Sequence, residues 1–203
     1  MVLSLTTLIK NGKKVFLTEE DAVKSFGLKA LLLTHADARE RGAFVRKINI
    51  KVKEKNSNDI KKIFAYTHGK IFCGGHRNVI FGFIVRYIFL LFNFRKVSFA
   101  HTHPYCTGHK PDSFSSADEL VARLIGIKYM YLVSPNGRVY RYDGKDEKRK
   151  KNGELDLFPI FDDLPKLKNK CDCINGILPK KISKKNSKEL LLNRSEEKEV
   201  VSV

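Results

Sequence analysis

Cysteine is scarce in this chain, and acidic residues are outnumbered. Cys73, Cys106, Cys171 and Cys173 are the only cysteines among 203 residues. They are too few and too unevenly placed for a disulfide framework, so reduced thiols and a cytoplasmic setting are expected. Cys171 and Cys173 form a C-x-C pair, closer than half of a usual zinc finger. The N-terminal MVLSLTTLIKNGKKVF puts its apolar stretch before its lysines, with no small-residue cleavage site after them, and does not read as a secretory signal. No internal repeat is visible. There is no aromatic-plus-glycine RNA motif, no recognisable DNA-binding motif, and no His-x-Glu with Pro-Cys-x-x-Cys of a zinc deaminase. A run of about 20 uncharged apolar residues, as a spanning helix needs, is also missing. The nearest candidate, residues 79–94 (VIFGFIVRYIFLLFNF), holds Arg86. Gly82, Arg86 and Asn93 fall within about 40° of one another at helical spacing. A mostly buried helix with one narrow wet stripe accounts for that pattern better than membrane contact does.

What is abundant is positive charge. Lys plus Arg number 39 against 22 Asp plus Glu, a net +17. Residues 1–143 hold 24 basic and 11 acidic residues, net +13, and residues 144–203 hold 15 and 11, net +4. The basicity therefore belongs mainly to 1–143, read as the folded domain. Such a balance favours anionic partners: nucleic acid, an anionic membrane face or an acidic protein. Residues 144–203 read as a basic, partly disordered tail. Within it, 145–151 is a solvated linker, 155–167 (LDLFPIFDDLPKL) a strap able to dock through Leu157, Phe158 and Phe161, 177–189 a mobile stretch, and 187–200 a short helix.

Element signals are clear in the first 143 residues. Thr18 before Glu19 and Glu20 is an N-cap with acids in the first turn, opening a helix to about His35. Residues 43–52 alternate as a strand, 53–59 make a turn, and 62–67 and 70–73 are short strands. Residues 95–101 form a strand with Val97, Phe99 and His101 on one face. A loop over 104–114 precedes a helix over 116–125 that stops at Gly126. Strands at 128–134 and 138–142 flank Pro135-Asn136-Gly137, a hairpin signal. The expected fold is α/β (α+β): a mixed sheet flanked by helices.

The chemistry concentrates in FAHTHPYCTGHKPDSFSSADELVARL. His101 and His103 stand at i and i+2 at a strand's end, so both imidazoles point to one side. Two imidazoles on one face suit Zn²⁺. Asp118, on the following helix, is placed to return as a third ligand, leaving a fourth position for water as catalytic sites do. His109 and Asp112 are alternative ligands or solvent-exposed loop residues. Ser115, three residues before Asp118, would lie near the metal. Ser115-x-x-Asp118 is equally an N-cap with an acidic N3 partner.

His-x-His-Pro followed by Ser-x-x-Asp opening a helix resembles the JAB/MPN/JAMM zinc metallopeptidase superfamily. The wording of residues 100–143 is most similar to a bacterial branch found at the ends of Rhs-type and other polymorphic-toxin proteins. Those domains also begin with a helix leading to a glutamate, a glycine and a strand, here Glu40, Gly42 and Ala43-Phe44-Val45. The resemblance covers about residues 15–143. It implies a JAB/MPN (cytidine-deaminase-like) architecture, Zn²⁺ on His101, His103 and Asp118, Glu40 as general acid/base, and Ser115 as donor to the oxyanion of a tetrahedral intermediate. The implied reaction is hydrolysis of a peptide or isopeptide bond, on a peptide or ubiquitin-like substrate, in the cytoplasm or after delivery as a secreted effector. Glu19, Glu20 and Asp37 are rivals to Glu40. The 104–114 gap and the 79–94 segment are longer than the superfamily's, and the tail has no counterpart. Two other readings compete: an inactive module that binds nucleic acid or an acidic partner, and a membrane-associated protein using 79–94.

Overall fold

The computed structural model describes residues 7–10, 13–53, 60–74, 97–105, 111–125, 127–144, 155, 157–166 and 201–202. The expectations for 79–94, 145–151 and 177–200, the 53–59 turn beyond Lys53, Gly126 and His109 lie outside these residues.

The architecture is α+β, with two helices among the described residues on a mixed sheet. In chain order come β1 (Thr7–Lys10), β2 (Lys13–Phe16), α1 (Glu19–Asp37), β3 (Arg41–Lys53), β4 (Ile60–His68), β5 (Phe72–Cys73), β6 (Val97–Thr102), α2 (Ser116–Ile125), β7 (Met130–Val133), β8 (Val139–Tyr142) and β9 (Val201–Ser202). The sheet order is β8-β7-β6-β3-β4-β2-β1-β9, with β5 pairing β3 off that path. Pairs β6–β7 and β1–β9 are parallel, and the other pairs are antiparallel. The parallel β6–β7 pair needs a crossover, and α2 supplies it.

α1 forms where its cap and its apolar spacing agree. The Thr18 side chain accepts the Asp21 N–H at 3.1 Å, and Glu19, Glu20 and Asp21 complement the helix N-terminus. Ala22, Val23, Phe26, Ala30 and Leu31 recur at three- and four-residue steps and are buried, a stripe on one side of the helix. It packs on Ala43, Val45, Ala100, Tyr131 and Val133. Burial of a side chain such as Phe26 or Leu31 contributes about 1.5–3 kcal/mol. Strand alternation sends Phe44, Phe99, Met130 and Leu132 to the opposite face. There they meet α2 through Val121 and Ala122, together with Phe114, Tyr140 and Tyr142. The result is three layers, with β6 an interior strand of the sheet and a helix above and below.

α1 ends at Ala38, whose φ of 54° is left-handed. That residue turns the chain so that Arg39 and Glu40 lead directly into β3 beside the end of β6. The β7–β8 hairpin turns at Gly137, whose φ of 78° favours glycine. A Cβ there would collide with the Leu164 carbonyl.

The chain comes back to the sheet after β8. Leu155 and Leu157 join the α2-side core, while Ile160, Phe161 and Leu164 join the α1-side core. Val139 donates to the Phe161 carbonyl at 2.9 Å, and Ile160 donates to the Val139 carbonyl at 2.8 Å. Lys24 Nζ lies 2.7 Å from Asp163 Oδ2 and 4.6 Å from the Phe161 ring centre. The strap expected over 155–167 therefore docks, but Phe158 stays 83% exposed. Among the described residues no helix is long and apolar enough to cross a membrane.

Candidate metal centre

The site lies at the C-terminal end of β6. His101 pairs with Gly42 of β3 on one side and Leu132 of β7 on the other. Both histidines are buried, His101 at 1% exposure and His103 at 2%. The His101 ring stacks on Phe99, with ring centres 5.9 Å apart and planes 15° apart, and touches Phe114. Phe99 passes so close to β3 that a Cβ on Gly42 would overlap its ring. The glycine after Glu40 thus permits the aromatic floor beneath His101.

α2 delivers the third group. The Nε2 atoms of His101 and His103 each lie 3.5 Å from Asp118 Oδ2. One ligand atom from each of the three residues falls within 4.8 Å of the others. Ser115 locks the carboxylate in place. Its N–H and its hydroxyl both donate to Asp118 Oδ2, at 2.9 and 2.7 Å, and its Oγ accepts the Asp118 N–H at 3.2 Å. Ser115 and Asp118 therefore cap α2 reciprocally. The capping reading and the site reading describe the same residues at once.

The electrostatics follow from this convergence. Burial alone would push Asp118 upward, but the His101 charge and the close approach of both imidazoles outweigh it and hold the carboxyl well below the ordinary range. Burial opposes charge on His101, yet the Asp118 charge and contact, with smaller contributions from Glu40 and the Tyr131 carbonyl, raise its pKa.

Do these residues fit a metal? His101 and His103 each bury an Nδ1 that closes no hydrogen bond, and His101 Nε2 closes none either. An unsatisfied buried polar atom costs about 1–3 kcal/mol. A cation held through the Nε2 atoms would give His101 Nε2 the partner it lacks. Ligand atoms at Zn²⁺ bond lengths of about 2.0–2.1 Å stand roughly 3.3 Å apart. The two 3.5 Å separations match that spacing. Two neutral imidazoles and one carboxylate form a three-ligand donor set that suits Zn²⁺ and leaves a coordination position open.

No family model matches the chain, and no curated protein or solved structure matches it. The reading of the site therefore rests on its own chemistry.

Glu40 lies two residues before Gly42, the β3 partner of His101. It is 6% exposed, and its charge acts on His101. Its carbonyl accepts from Gly74 N–H at 2.9 Å and from Arg41 Nη1 at 3.3 Å. The rival carboxylates have other partners. Glu19 accepts from the Ser98 hydroxyl and from Lys128 Nζ, the latter at 2.6 Å. Glu20 lies 3.4 Å from Arg141 Nη1. Asp37 pairs with the Arg41 guanidinium and accepts the Arg39 N–H at 3.1 Å. Asp112 stands outside the cluster. It accepts from the Ser134 hydroxyl and from Asn136 Nδ2, the latter at 2.7 Å, and Tyr105 donates to Asn136 Oδ1 at 2.7 Å. This network ties both ends of the 104–114 loop to the β7–β8 turn.

Sequence reasoning missed what holds Glu40 in register. Thr102 Oγ1 accepts the Arg41 N–H at 3.0 Å and lies 2.6 Å from Thr34 Oγ1. These bonds join the end of α1, the start of β3 and the end of β6. The signal was present: Thr102 sits between the two histidines, so alternation turns it toward α1.

Proposed function

We propose that this protein is a zinc-dependent hydrolase of peptide or isopeptide bonds, with the JAB/MPN-type arrangement that the His-x-His-Pro and Ser-x-x-Asp wording resembles. One observation carries the reading: the convergence of the His101, His103 and Asp118 ligand atoms within 4.8 Å, with a buried His101 Nε2 that closes no hydrogen bond. His101, His103 and Asp118 hold the ion. When bound, Zn²⁺ supplies a Lewis acid and makes a water more acidic at neutral pH.

The chain's own groups supply the rest. Glu40, buried beside His101, takes a proton from the attacking water and returns it to the leaving nitrogen. Such positioned transfer contributes about 10²–10⁴-fold. Thr102 and Thr34 fix the backbone that carries Glu40. Ser115 orients Asp118 through two donated bonds. Its hydroxyl serves an oxyanion by turning away from that carboxylate. Phe99 and Phe114 pack on the His101 imidazole and keep water from it, which strengthens charge interactions there. A substrate with an extended backbone and a scissile amide fits this set. A ubiquitin-like tail and an ordinary peptide both qualify.

The test begins with metal. Protein purified without chelator is expected to hold one zinc per chain by elemental analysis. His103→Ala and Asp118→Ala are expected to lose most of it. Full occupancy in either variant removes the assignment. Peptide and ubiquitin-like isopeptide substrates then test the reaction.

A further inference from the structure

Among the described residues β3 and β4 run past the rest of the sheet: the β3–β6 ladder is described up to Arg46↔Val97, and the β3–β4 ladder continues to Lys53↔Ile60. β2 meets β4 at Phe16↔Tyr66. Beyond these points, among the described residues, 46–53 and 60–65 form a two-stranded ribbon with unlike faces. One face carries Ile48, Ile50, Ile63 and Ala65, packed with Val15. Alternation puts Lys47, Asn49 and Lys51 on the other face, opposite Tyr66, Phe64 and Lys62. Lys47, Asn49, Lys51, Lys62 and Phe64 are all exposed there. Phe64 is 59% exposed, and Lys47 Nζ lies 3.7 Å from its ring centre. Residues 46–53 and 60–65 carry six Lys or Arg and no Asp or Glu.

We propose that this face binds single-stranded nucleic acid, with Lys47, Lys51 and Lys62 meeting phosphates and Phe64 stacking on a base. Same-face positions on a strand repeat at about 6.8 Å, the scale of successive phosphates along an extended polynucleotide. The lysines alone would serve any polyanion. The ring decides between them. An acidic peptide offers carboxylates but nothing planar for Phe64, and a duplex keeps its bases stacked inside. A single strand offers phosphates and open base faces together, the combination that a basic surface with an aromatic platform recognises. The ribbon lies beyond the N-terminal end of β6, and the histidine cluster lies at its other end. Binding here does not depend on the metal centre, and the two proposals fail separately.

Fluorescence anisotropy of the full chain with a labelled oligothymidylate of about 20 nucleotides tests the idea. Affinity is expected to fall with salt, at a log–log slope near −0.7 per phosphate contacted. The triple variant Lys47→Ala, Lys51→Ala, Lys62→Ala is expected to flatten that slope by about 2. Phe64→Ala is expected to keep the slope and weaken binding by about fivefold to a hundredfold, the contribution of one stacked base. Equal affinity for a duplex of the same length, or an unchanged affinity in either variant, overturns the proposal. So does competition by polyglutamate that Phe64→Ala leaves untouched, which would assign the face to an acidic protein. Phe64→Ala alters one exposed ring and decides the matter alone if the triple variant does not fold.

Discussion

A fully buried histidine with neither ring nitrogen hydrogen-bonded needs a reason to be there, and His101 is such a residue. If its reason is a cation, the residue beside it can be separated from the ligands by a single substitution. Glu40→Gln keeps size and removes the proton acceptor. Zinc content and the thermal midpoint are expected to stay unchanged while hydrolysis falls by about 10²-fold or more. Loss of zinc in this variant would make Glu40 a ligand, and unchanged turnover would pass the role to another carboxylate. His68 gives a second residue-scale expectation. Burial lowers its pKa, the Gly69 carbonyl contact partly offsets this, and the Lys29 charge adds to the lowering. The unfolded chain therefore takes up the proton first as pH falls below about 6.5. The His68 contribution to stability is full above that pH and is lost as pH drops toward the folded pKa. Urea midpoints at about pH 7.5 and pH 5.5 are expected to separate more in the wild type than in His68→Asn. At this scale the sequence is informative wherever partners are near neighbours. Alternation alone aligns His101 with His103, and a three-residue step joins Ser115 to Asp118. The partnership of Thr34, Thr102 and Arg41 spans up to 68 positions, and no local spacing records it.

Among the elements, the N-terminus of α2 has two tasks. Ser115 and Asp118 start the helix, and the same Asp118 oxygen faces both histidines. Ser115→Ala is expected to lower stability by about 1 kcal/mol through the lost cap. It is also expected to weaken zinc binding, because the carboxylate loses its hydroxyl partner. Second-sphere partners of this kind typically contribute 10–100-fold in affinity. A chelator competition titration measures it. A cap-only role would lower stability with zinc affinity unchanged. The elements themselves were largely readable. Thr18 starts α1, and Gly137 turns the last hairpin. Limits were less so: β3 begins at Arg41 because Gly42 lets β5 and β6 approach from the two sides, and β4 extends to His68. These are consequences of pairing, which a strand's own residues do not encode.

At the scale of the molecule, the sheet around β6 and β7 is covered on both faces, and the order β8-β7-β6-β3 sets the site between an interior strand and the helix that crosses over it. The mixed sheet and its flanking helices follow from the element order. The docking of 155–166 does not, since its hydrophobic residues show no helical or strand period. A chain ending at Pro179 is expected to keep its thermal midpoint within a few degrees; among the described residues it loses the two-residue pairing of β9 with β1. A chain ending at Gly144 loses buried Leu155 and Leu164. At about 1.5–3 kcal/mol each, and about 2–4 °C per kcal/mol, its midpoint is expected to fall by on the order of 10 °C in calorimetry. The same cut has a second effect. β8 stands last in the sheet order, and the strap bonds to both the N–H and the carbonyl of its Val139. Without residues 155–166 that backbone would be bare, and a bare outer strand invites the same strand of another copy. The shortened protein is therefore expected to self-associate as its concentration rises, visible as growing light scattering well below its melting temperature. The strap then guards solubility as well as stability.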